Sequence, residues 1–170
     1  MCAFNIRFNP NEINEIAFRY SYSKESKIID NVMPRILENG YLNRQDFLAL
    51  CSWKTGRTRK RCESNESNFI KEISAIAFNS NNEKIKIEVL TLLDGVNYPT
   101  ASAILHFFTD YKYPILDFRA LWSLQTEVPR RYTYDFWWAY TKYCRKIARK
   151  SRVTLRILDR ALWQFSKENQ

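Results

Sequence analysis

The sequence predicts an all-α protein, and three observations support that fold class. Only 3 glycines and 5 prolines occur in 170 residues, which argues against a turn-rich β fold. Apolar residues recur at intervals of three and four, which places them on one face of a helix. Thr and Asn residues precede several of these segments, as helix N-caps do. We expect eight or nine helices, no strand, and a single compact unit over residues 1–170.

The first half of the chain predicts five helices after an extended arm at residues 1–9. Asn9-Pro10 begins the first helix, Asn39-Gly40 ends the second, and Asn43 caps the third. Each helix carries an apolar stripe that is wide enough to bury against a neighbour. The five segments are residues 10–20, 24–38, 44–52, 66–78 and 83–93.

The second half predicts four more helices, of which the third is rich in aromatic and basic residues. They are expected at residues 99–108, 118–124, 134–150 and 154–165, with Pro99 in a first turn and Thr133 as an N-cap. Most of the aromatic residues recur at helical spacing and belong to the core. Five cations at the end of the third helix and just after it form either a phosphate-facing ridge or a solvated face: Arg145, Lys146, Arg149, Lys150 and Arg152.

The chain as a whole is basic. Lys and Arg outnumber Asp and Glu by 27 to 18, giving a net charge of +9 and a pI near 9.5. Such a balance is typical of proteins that bind nucleic acid. No segment approaches the roughly 20 apolar residues of a membrane span, and the first residues lack the apolar core of a secretion signal. We therefore expect a cytoplasmic protein with no membrane partner.

Cysteine and histidine usage predicts no metal and no other cofactor. Cys2, Cys51, Cys62 and Cys144 form no CxxC pair, so the sequence indicates no zinc site, iron–sulfur cluster or disulfide framework. Cys2 could become an N-terminal nucleophile, but no partner base can be named for it. The single histidine, His106, is expected at the surface or in a groove, and one histidine argues against a histidine triad.

The most informative stretch is residues 93–119. Leu93-Asp94-Gly95-Val96 forms a glycine turn before a helix, and such a helix N-terminus presents unpaired N–H groups that suit a phosphate. Residues 113–117, with the sequence YPILD, then place the carboxylate of Asp117 at the end of an apolar loop. The alternatives are an ordinary corner between two helices, with Asp117 acting only as the N-cap of the next helix.

These residues resemble the helix–hairpin–helix DNA glycosylases, the superfamily of endonuclease III and the adenine glycosylase. Their pattern is roughly LPGVGxxTAxAIL, a short spacer, then [FP][PV][IV][LV]D. The resemblance implies a two-lobed helical fold with a hairpin at 83–108, an Asp loop at 111–119 and a cleft between the lobes. The matching residues are Leu93, Gly95, Val96, Thr100, Ala101, Ala103, Ile104, Leu105, Pro114, Ile115, Leu116 and Asp117.

The resemblance also implies roles for individual residues. Asp117 would be the catalytic carboxylate, stabilising the positive charge that develops on the deoxyribose. The hairpin would hold the backbone of double-stranded DNA while the target base is flipped out. Contacts to that backbone are expected from Gly95, Val96, Asn97, Thr100, Arg119, Arg59 and Lys60.

The chain resembles a divergent, short member of this family without an iron–sulfur cluster, since its cysteine spacing does not resemble the family's cluster loop and three residues depart from the pattern. Asn97 replaces the second hairpin glycine; asparagine tolerates a left-handed backbone and can cap a helix. Pro99 stands where bifunctional members carry the lysine that forms a Schiff base, which argues against lyase chemistry. Arg119 follows the Asp where the family often has Asn-Val, and it would pair with a phosphate or with Asp117.

A basic stretch at residues 53–61 supplies the expected base pocket or wedge. Trp53 followed by cations suits base stacking and phosphate contact, although a solvated loop with Trp53 in the core is the alternative. The candidates for contact with the base are Trp53, Lys54, Arg57 and Tyr98.

The sequence therefore predicts a monofunctional DNA glycosylase that removes a damaged or modified base from duplex DNA and leaves an abasic site. A non-catalytic helix–hairpin–helix DNA-binding module is the alternative, and an RNA-binding or nuclease accessory protein is suggested by charge alone. No motif identifies the base, or decides between DNA repair and defence against modified foreign DNA.

Overall fold

A computed structural model describes residues 4–22, 25–109 and 111–170. Every regular element within these ranges is helical, so the predicted all-α fold class is confirmed. None of these helices is long and apolar enough to cross a membrane. The α-helices are α1 Ile13–Phe18, α2 Glu25–Lys27, α3 Met33–Asn39, α4 Arg44–Lys54, α5 Arg59–Glu63, α6 Ser67–Asn79, α7 Glu83–Leu90, α8 Tyr98–Phe108, α9 Phe118–Ser123, α10 Tyr134–Lys150 and α11 Leu155–Asn169.

The helix boundaries follow local capping chemistry. The side chain of Asn43 accepts a hydrogen bond from the Asp46 N–H at the start of α4, and Thr133 accepts one from the Phe136 N–H at the start of α10. Gly40 follows α3 with φ of +71°, the left-handed conformation that glycine adopts at little cost. These predicted caps and this predicted helix end are confirmed.

Two segments differ from the sequence-based expectation. The predicted second helix, whose expected first residue Lys24 lies outside the described residues, is divided into α2, a π-helical turn at Ile28–Val32 and α3. Pro34 explains the change of register, because it has no N–H to donate to residue 30. The basic stretch also folds further than expected, since α4 extends through Trp53 and Lys54, and α5 follows a short 3₁₀ turn at Gly56–Thr58.

The chain divides into two compact units. Unit 1 comprises residues 1–21 and 111–170, and unit 2 comprises residues 22–110. Unit 2 contains both helices of the hairpin, and unit 1 contains the Asp117 loop. Whether the whole chain acts as the single compact unit expected from the sequence stays a prediction.

Unit 2 is built around α8. Nine of its eleven residues are buried, and it packs against α3, α4 and α7. A helix that is apolar on nearly all sides belongs in the middle of a core, which accounts for the high apolar content of residues 101–108. The largest fully buried side chains around it include Phe47, Leu50, Ile70, Ile87 and Leu90.

Unit 1 is built around α11, which packs against α1 and α9. Trp137 and Tyr140 of α10 are fully buried, as are Leu158 and Leu162 of α11. The described part of the N-terminal arm runs along the end of α9, with the Asn5 N–H donating to the Leu124 carbonyl at 3.0 Å and the Arg7 N–H to the Ser123 carbonyl at 2.9 Å. The arm thus closes the core of this unit.

Candidate functional site

The hairpin turn between α7 and α8 depends on Gly95. Its φ is +81°, and an ideal Cβ added there would lie 2.7 Å from Cys62 Sγ and 2.9 Å from the Cys62 N. The position therefore excludes a side chain for two reasons, a left-handed backbone and a close approach to α5. The glycine that the sequence pattern singles out is required by packing as well as by the turn.

Asn65 fixes the turn from the side. Its amide oxygen accepts from the Asp94 N–H at 2.8 Å, and its Nδ2 donates to the Asp94 carbonyl at 3.0 Å and the Cys62 carbonyl at 2.9 Å. The side chain is buried, so these bonds satisfy backbone groups that water does not reach. This role of Asn65 was not predicted, because a lone asparagine before a helix gives no signal of a contact with a residue 29 positions away.

Asn97 opens α8 as its N-cap. Its backbone is extended, with φ of −124°, and its side-chain oxygen accepts from the Tyr98 N–H at 2.7 Å. Asn97, which stands where the family pattern has its second hairpin glycine, therefore acts as a helix cap, and its backbone is not left-handed. Pro99 occupies the second position of α8.

The predicted DNA-backbone residues of the hairpin differ in exposure. Asn97 is exposed and Gly95 is half-buried, whereas the side chains of Val96 and Thr100 are buried. Any contact from Thr100 to a phosphate would therefore come from its backbone N–H, whereas the Val96 N–H already donates to the Leu93 carbonyl at 3.0 Å. First-turn N–H groups of a helix are suited to that role because most lack intrahelical acceptors.

The basic stretch lies in the same unit as the hairpin and is brought against it. Cys62 of α5 contacts Gly95, while Arg57, Arg59 and Lys60 are exposed on the 3₁₀ turn and α5. Arg59 forms a salt bridge with Glu63 at 2.8 Å, so part of the positive charge here is neutralised. Lys54 is half-buried at the end of α4.

Trp53 combines features of both expected environments. The ring packs edge-on against Phe107 at 5.1 Å and Tyr22 at 5.9 Å, so its body belongs to the core of unit 2. The residue is nevertheless half-buried, and its buried indole N–H has no acceptor among the described residues. An unsatisfied buried donor is costly unless a ligand or water completes it.

Tyr98 and His106 face the interior. Tyr98 is buried, and its hydroxyl donates to Glu88 Oε1 at 3.0 Å, which joins the two hairpin helices. His106 is fully buried and meets Phe107 edge-on at 5.2 Å. The expectation of a surface or groove position for His106 is wrong, because α8 is the central helix of the unit and has little exposed face.

Two thiols lie behind the hairpin turn. A hydrogen bond from the Cys51 thiol lowers the pKa of Cys62 to about 6, with help from the Thr58 hydroxyl at 3.8 Å and against the effect of burial. The same hydrogen bond, together with burial, raises the pKa of Cys51. In the described part of the chain no group of three His, Cys, Asp or Glu side chains is arranged to hold a metal ion.

The loop that delivers Asp117 is held rigidly within unit 1. Residues 113–116 are buried, the Tyr140 hydroxyl donates to the Ile115 carbonyl at 2.8 Å, and the Ile115 N–H donates to Asp159 Oδ1 at 3.3 Å. Asp159 in turn pairs with the buried Arg156 at 2.9 Å. Burial of its apolar side chains, the restricted φ of Pro114 and these hydrogen bonds thus fix the backbone of the loop.

Asp117 itself is half-buried and caps α9, accepting a hydrogen bond from the Ala120 N–H at 2.8 Å. The predicted N-cap is confirmed. Burial raises the pKa of Tyr132, and repulsion from the nearby Asp117 carboxylate raises it further. The guanidinium of Arg119 lies over the rings of Phe118 at 5.1 Å and Trp163 at 5.4 Å.

A groove of about 360 Å³ opens beside α9, and sequence analysis did not predict it. Phe118 and Trp122 form aromatic walls, and Arg7 lies over the Trp122 ring at 4.4 Å. Phe118, the residue after Asp117, is 51% exposed, which is unusual for a large apolar side chain. The available signal was two aromatic residues four positions apart after the Asp loop, of which Trp122 was expected to pack in the core.

The fold is similar to that of a solved structure, the 8-oxoguanine glycosylase/lyase of Methanocaldococcus jannaschii in complex with a 15mer DNA containing 8-oxoguanine. The match covers 94% of this chain and 81% of that one, with a TM-score of 0.51 and 21% sequence identity. No protein-family model and no curated protein matches the chain. The predicted glycosylase-like helical fold is thereby confirmed, and the match assigns neither a superfamily nor a subfamily.

Proposed function

We propose that this chain is a monofunctional DNA glycosylase that hydrolyses the N-glycosidic bond of a flipped-out damaged or modified base in duplex DNA. The observation that carries the proposal is Asp117, a half-buried carboxylate at the end of a loop fixed by Tyr140 and Asp159, in a glycosylase-like fold. A carboxylate whose backbone cannot move is suited to stabilising charge that appears only in the transition state.

In this mechanism the bond between C1′ of the deoxyribose and the base breaks, and its electron pair leaves with the base. The sugar acquires oxocarbenium character, which the Asp117 carboxylate stabilises electrostatically. Water then adds to C1′, and Asp117 orients that water or accepts its proton. The products are the free base and an abasic site. The Ala120 N–H, 2.8 Å from Asp117 Oδ1, holds the carboxylate in place during these steps.

The hairpin binds the DNA backbone in the proposal. Asn65 holds Asp94, and the left-handed Gly95 turns the chain into α8, whose dipole attracts a phosphate. The Tyr98 N–H is already capped by Asn97 and Pro99 has no N–H, so the Thr100 N–H is the first-turn donor proposed for that phosphate. The exposed cations Arg57, Arg59 and Lys60 lie on the segment that packs behind this turn and add non-specific attraction.

The absence of lyase activity is also part of the proposal. Pro99 lacks a side-chain amine, so it cannot form a Schiff base with the sugar at the position where bifunctional relatives carry lysine. The neighbour in the structural comparison is a glycosylase/lyase, so the distinction has to be measured directly.

The test is release of a base from a panel of duplexes, each with one damaged or modified base, including 8-oxoguanine. Each reaction is divided, and only one half is treated with hot alkali, which cleaves abasic sites. We expect cleavage of at least one substrate in the alkali-treated half alone. Cleavage without alkali would contradict the monofunctional assignment, and release from no duplex would contradict the enzyme assignment.

Two aromatic sites compete for the flipped base, and matched variants separate them. Trp53 carries the buried indole N–H without an acceptor, while Trp122 lines the groove beside α9. We expect Trp53→Phe, which keeps an aromatic ring and removes the donor, to lower release more than Trp122→Phe. The opposite order would move the base pocket to the groove.

The non-catalytic DNA-binding module remains a second candidate because of one observation. Asp117 caps α9, and that role explains the presence of an aspartate without any chemistry. A binding module would bind duplex DNA and release no base, and its Asp117 could be replaced by any good N-cap without functional loss.

A further inference from the structure

The net positive charge of the molecule belongs almost entirely to unit 1, whereas the hairpin belongs to unit 2. Unit 1 contains 15 Lys and Arg residues against 7 Asp and Glu, whereas unit 2 contains 12 against 11. Nearly all of the net charge of +9 therefore belongs to unit 1. Much of that excess lies on α10.

Four exposed cations of α10 lie on one face of the helix. Lys142, Lys146, Arg149 and Lys150, called here the basic stripe, follow each other at intervals of one to four residues and fall within about 100° of the helix circumference at 3.6 residues per turn. The only acidic residue of α10 is Asp135 in its first turn, about 10 Å from Lys142 along the axis at 1.5 Å per residue.

The stripe is not neutralised by the protein. Within the ranges that the structure describes, none of its four residues forms a salt bridge, whereas Arg59 in unit 2 is paired with Glu63. Moreover, Lys142 with Lys146 and Lys146 with Lys150 are like-charge pairs at i and i+4. Such pairs destabilise a helix. A favourable effect on the helix dipole accounts for Arg149 and Lys150 in the last turn, but it does not reach Lys142.

The aromatic residues near the stripe are already covered. Trp138 stacks parallel to Tyr134 at 6.4 Å and has Arg145 and Lys142 over its ring at 5.4 Å and 6.0 Å. Arg145 also lies over Tyr113 and donates to the Lys112 carbonyl. A single strand is held largely by bases that stack on open aromatic rings, and these rings are occupied. A row of cations that form no salt bridge within the described ranges, and that have no open ring beside them for a base to stack on, fits the phosphates of a duplex.

From this geometry we infer that the basic stripe of α10 is a second DNA-binding surface, which holds the phosphate backbone of duplex DNA independently of base identity. The inference rests on the proposed function for the identity of the DNA as substrate. Unit 1 then supplies electrostatic affinity of its own, in addition to the hairpin and the exposed cations of unit 2.

The test compares the wild-type chain with a stripe variant, Lys142→Gln, Lys146→Gln, Arg149→Gln and Lys150→Gln combined. The matched control removes four exposed cations elsewhere: Lys27→Gln, Lys71→Gln, Arg130→Gln and Lys167→Gln. Both variants lose the same net charge, so a difference between them reports position. Affinity for a lesion-free duplex is measured from low to moderate salt, and unfolding in denaturant verifies that both variants fold.

Each phosphate contact contributes about 0.9 to the slope of log K against log salt concentration. We expect the stripe variant to lose about 2 to 4 from that slope and to bind the duplex at least tenfold more weakly at low salt, while the control changes the slope by less than about 1. Equal slopes for the two variants would overturn the inference. A stripe-dependent loss confined to single-stranded DNA, or to vesicles of phosphatidylserine and phosphatidylcholine, would also overturn it.

Base release separates this inference from the proposed function. At saturating protein concentration we expect the stripe variant to release base at the wild-type rate, because the stripe supplies affinity and does not touch the reacting atoms. Loss of duplex affinity in a chain that never releases a base would support the stripe and contradict the glycosylase assignment. Base release with unchanged duplex affinity in the stripe variant would support the glycosylase and contradict the stripe.

Discussion

The two units of this protein differ in the groups that they could offer to a polyanion such as DNA. Unit 2 is nearly neutral, and its hairpin offers backbone groups whose position is set by Gly95, Asn65 and the Asn97 cap. Unit 1 carries almost all of the net charge together with the capped carboxylate of Asp117. Shape complementarity and electrostatic attraction are thus placed on different parts of the chain.

Within unit 1, the cations of the basic stripe and the carboxylate of Asp117 lie on different elements. A cation paired with a catalytic carboxylate would compensate its charge and weaken its effect on a developing oxocarbenium ion. Arg119, two positions after Asp117, has its guanidinium over the rings of Phe118 and Trp163. The stripe cations, which form no salt bridge within the described ranges, are on α10.

The largest expected effect on stability is in unit 1, at the support of the Asp117 loop. Asp159→Asn would leave the buried Arg156 without its carboxylate partner, at a cost of about 3–5 kcal/mol. Asp135→Asn is the matched control, because the same change at an exposed first-turn residue costs about 0.3–1 kcal/mol. Urea unfolding measures both, and similar losses in the two variants would show that Asp159 does not anchor the loop.

The next effect is in unit 2, where the hairpin turn depends on a glycine. Gly95→Ala combines a left-handed backbone with a clash against Cys62, and we expect a loss of about 2–4 kcal/mol in the free energy of unfolding. Gly40→Ala, at a similar φ with nothing within 4 Å of the added Cβ, should cost only about 1 kcal/mol.

A double variant tests the cause of the larger loss. Cys62→Ala removes the sulfur that the new Cβ would meet, so it should recover part of the Gly95→Ala loss in a double-mutant cycle. Strict additivity of the two changes would mean that the sulfur does not set the requirement for glycine, which would then come from the backbone conformation and from the backbone atoms of Cys62 and Thr58, 2.9 Å and 3.0 Å from the added Cβ.

The smallest effect is a titration in unit 2. A hydrogen bond from Cys51 lowers the pKa of Cys62 to about 6, so Cys51→Ala should raise that pKa toward the ordinary thiol value of about 8.5. Thiolate absorbance against pH measures the shift in a Cys2→Ser background, and Cys144→Ala should leave it unchanged.

The sign of the linked pH dependence follows from the direction of the shift. The folded pKa of Cys62 lies below its unfolded value, so ionisation contributes stability above the unfolded pKa, and that contribution is lost as the pH falls through about 6. The Cys51→Ala variant should therefore lose less stability than the wild type as the pH falls toward 6. A steeper loss in the variant would contradict the assigned hydrogen bond.

Much of the fold could be predicted from sequence because its signals are local. Apolar spacing and caps such as Asn43 and Thr133 depend on residues within one or two helical turns, and the predicted helices are present with shifted boundaries. The π-helical turn before Pro34 was missed because periodicity alone does not distinguish it from an α-helix.

The parts of the site that sequence analysis missed depend on contacts that are distant along the chain. Asn65 reaches Asp94, and Asp159 reaches Ile115, through bonds that no local pattern indicates. The burial of His106 follows from the central position of α8, which is a property of the assembled unit. Gly95 and Asp117 were predicted because a resemblance at fixed spacing carried that distant information.

The central claim is that Asp117 acts chemically and not only as a helix cap, and one substitution separates the two roles. Asn caps a helix about as well as Asp, so Asp117→Asn should keep the hydrogen bond from Ala120 and change stability by only a few tenths of a kcal/mol. Without the negative charge, single-turnover base release should fall by about 10²–10⁴-fold, while duplex affinity stays near the wild-type value. Base release by Asp117→Asn at the wild-type rate would contradict the account.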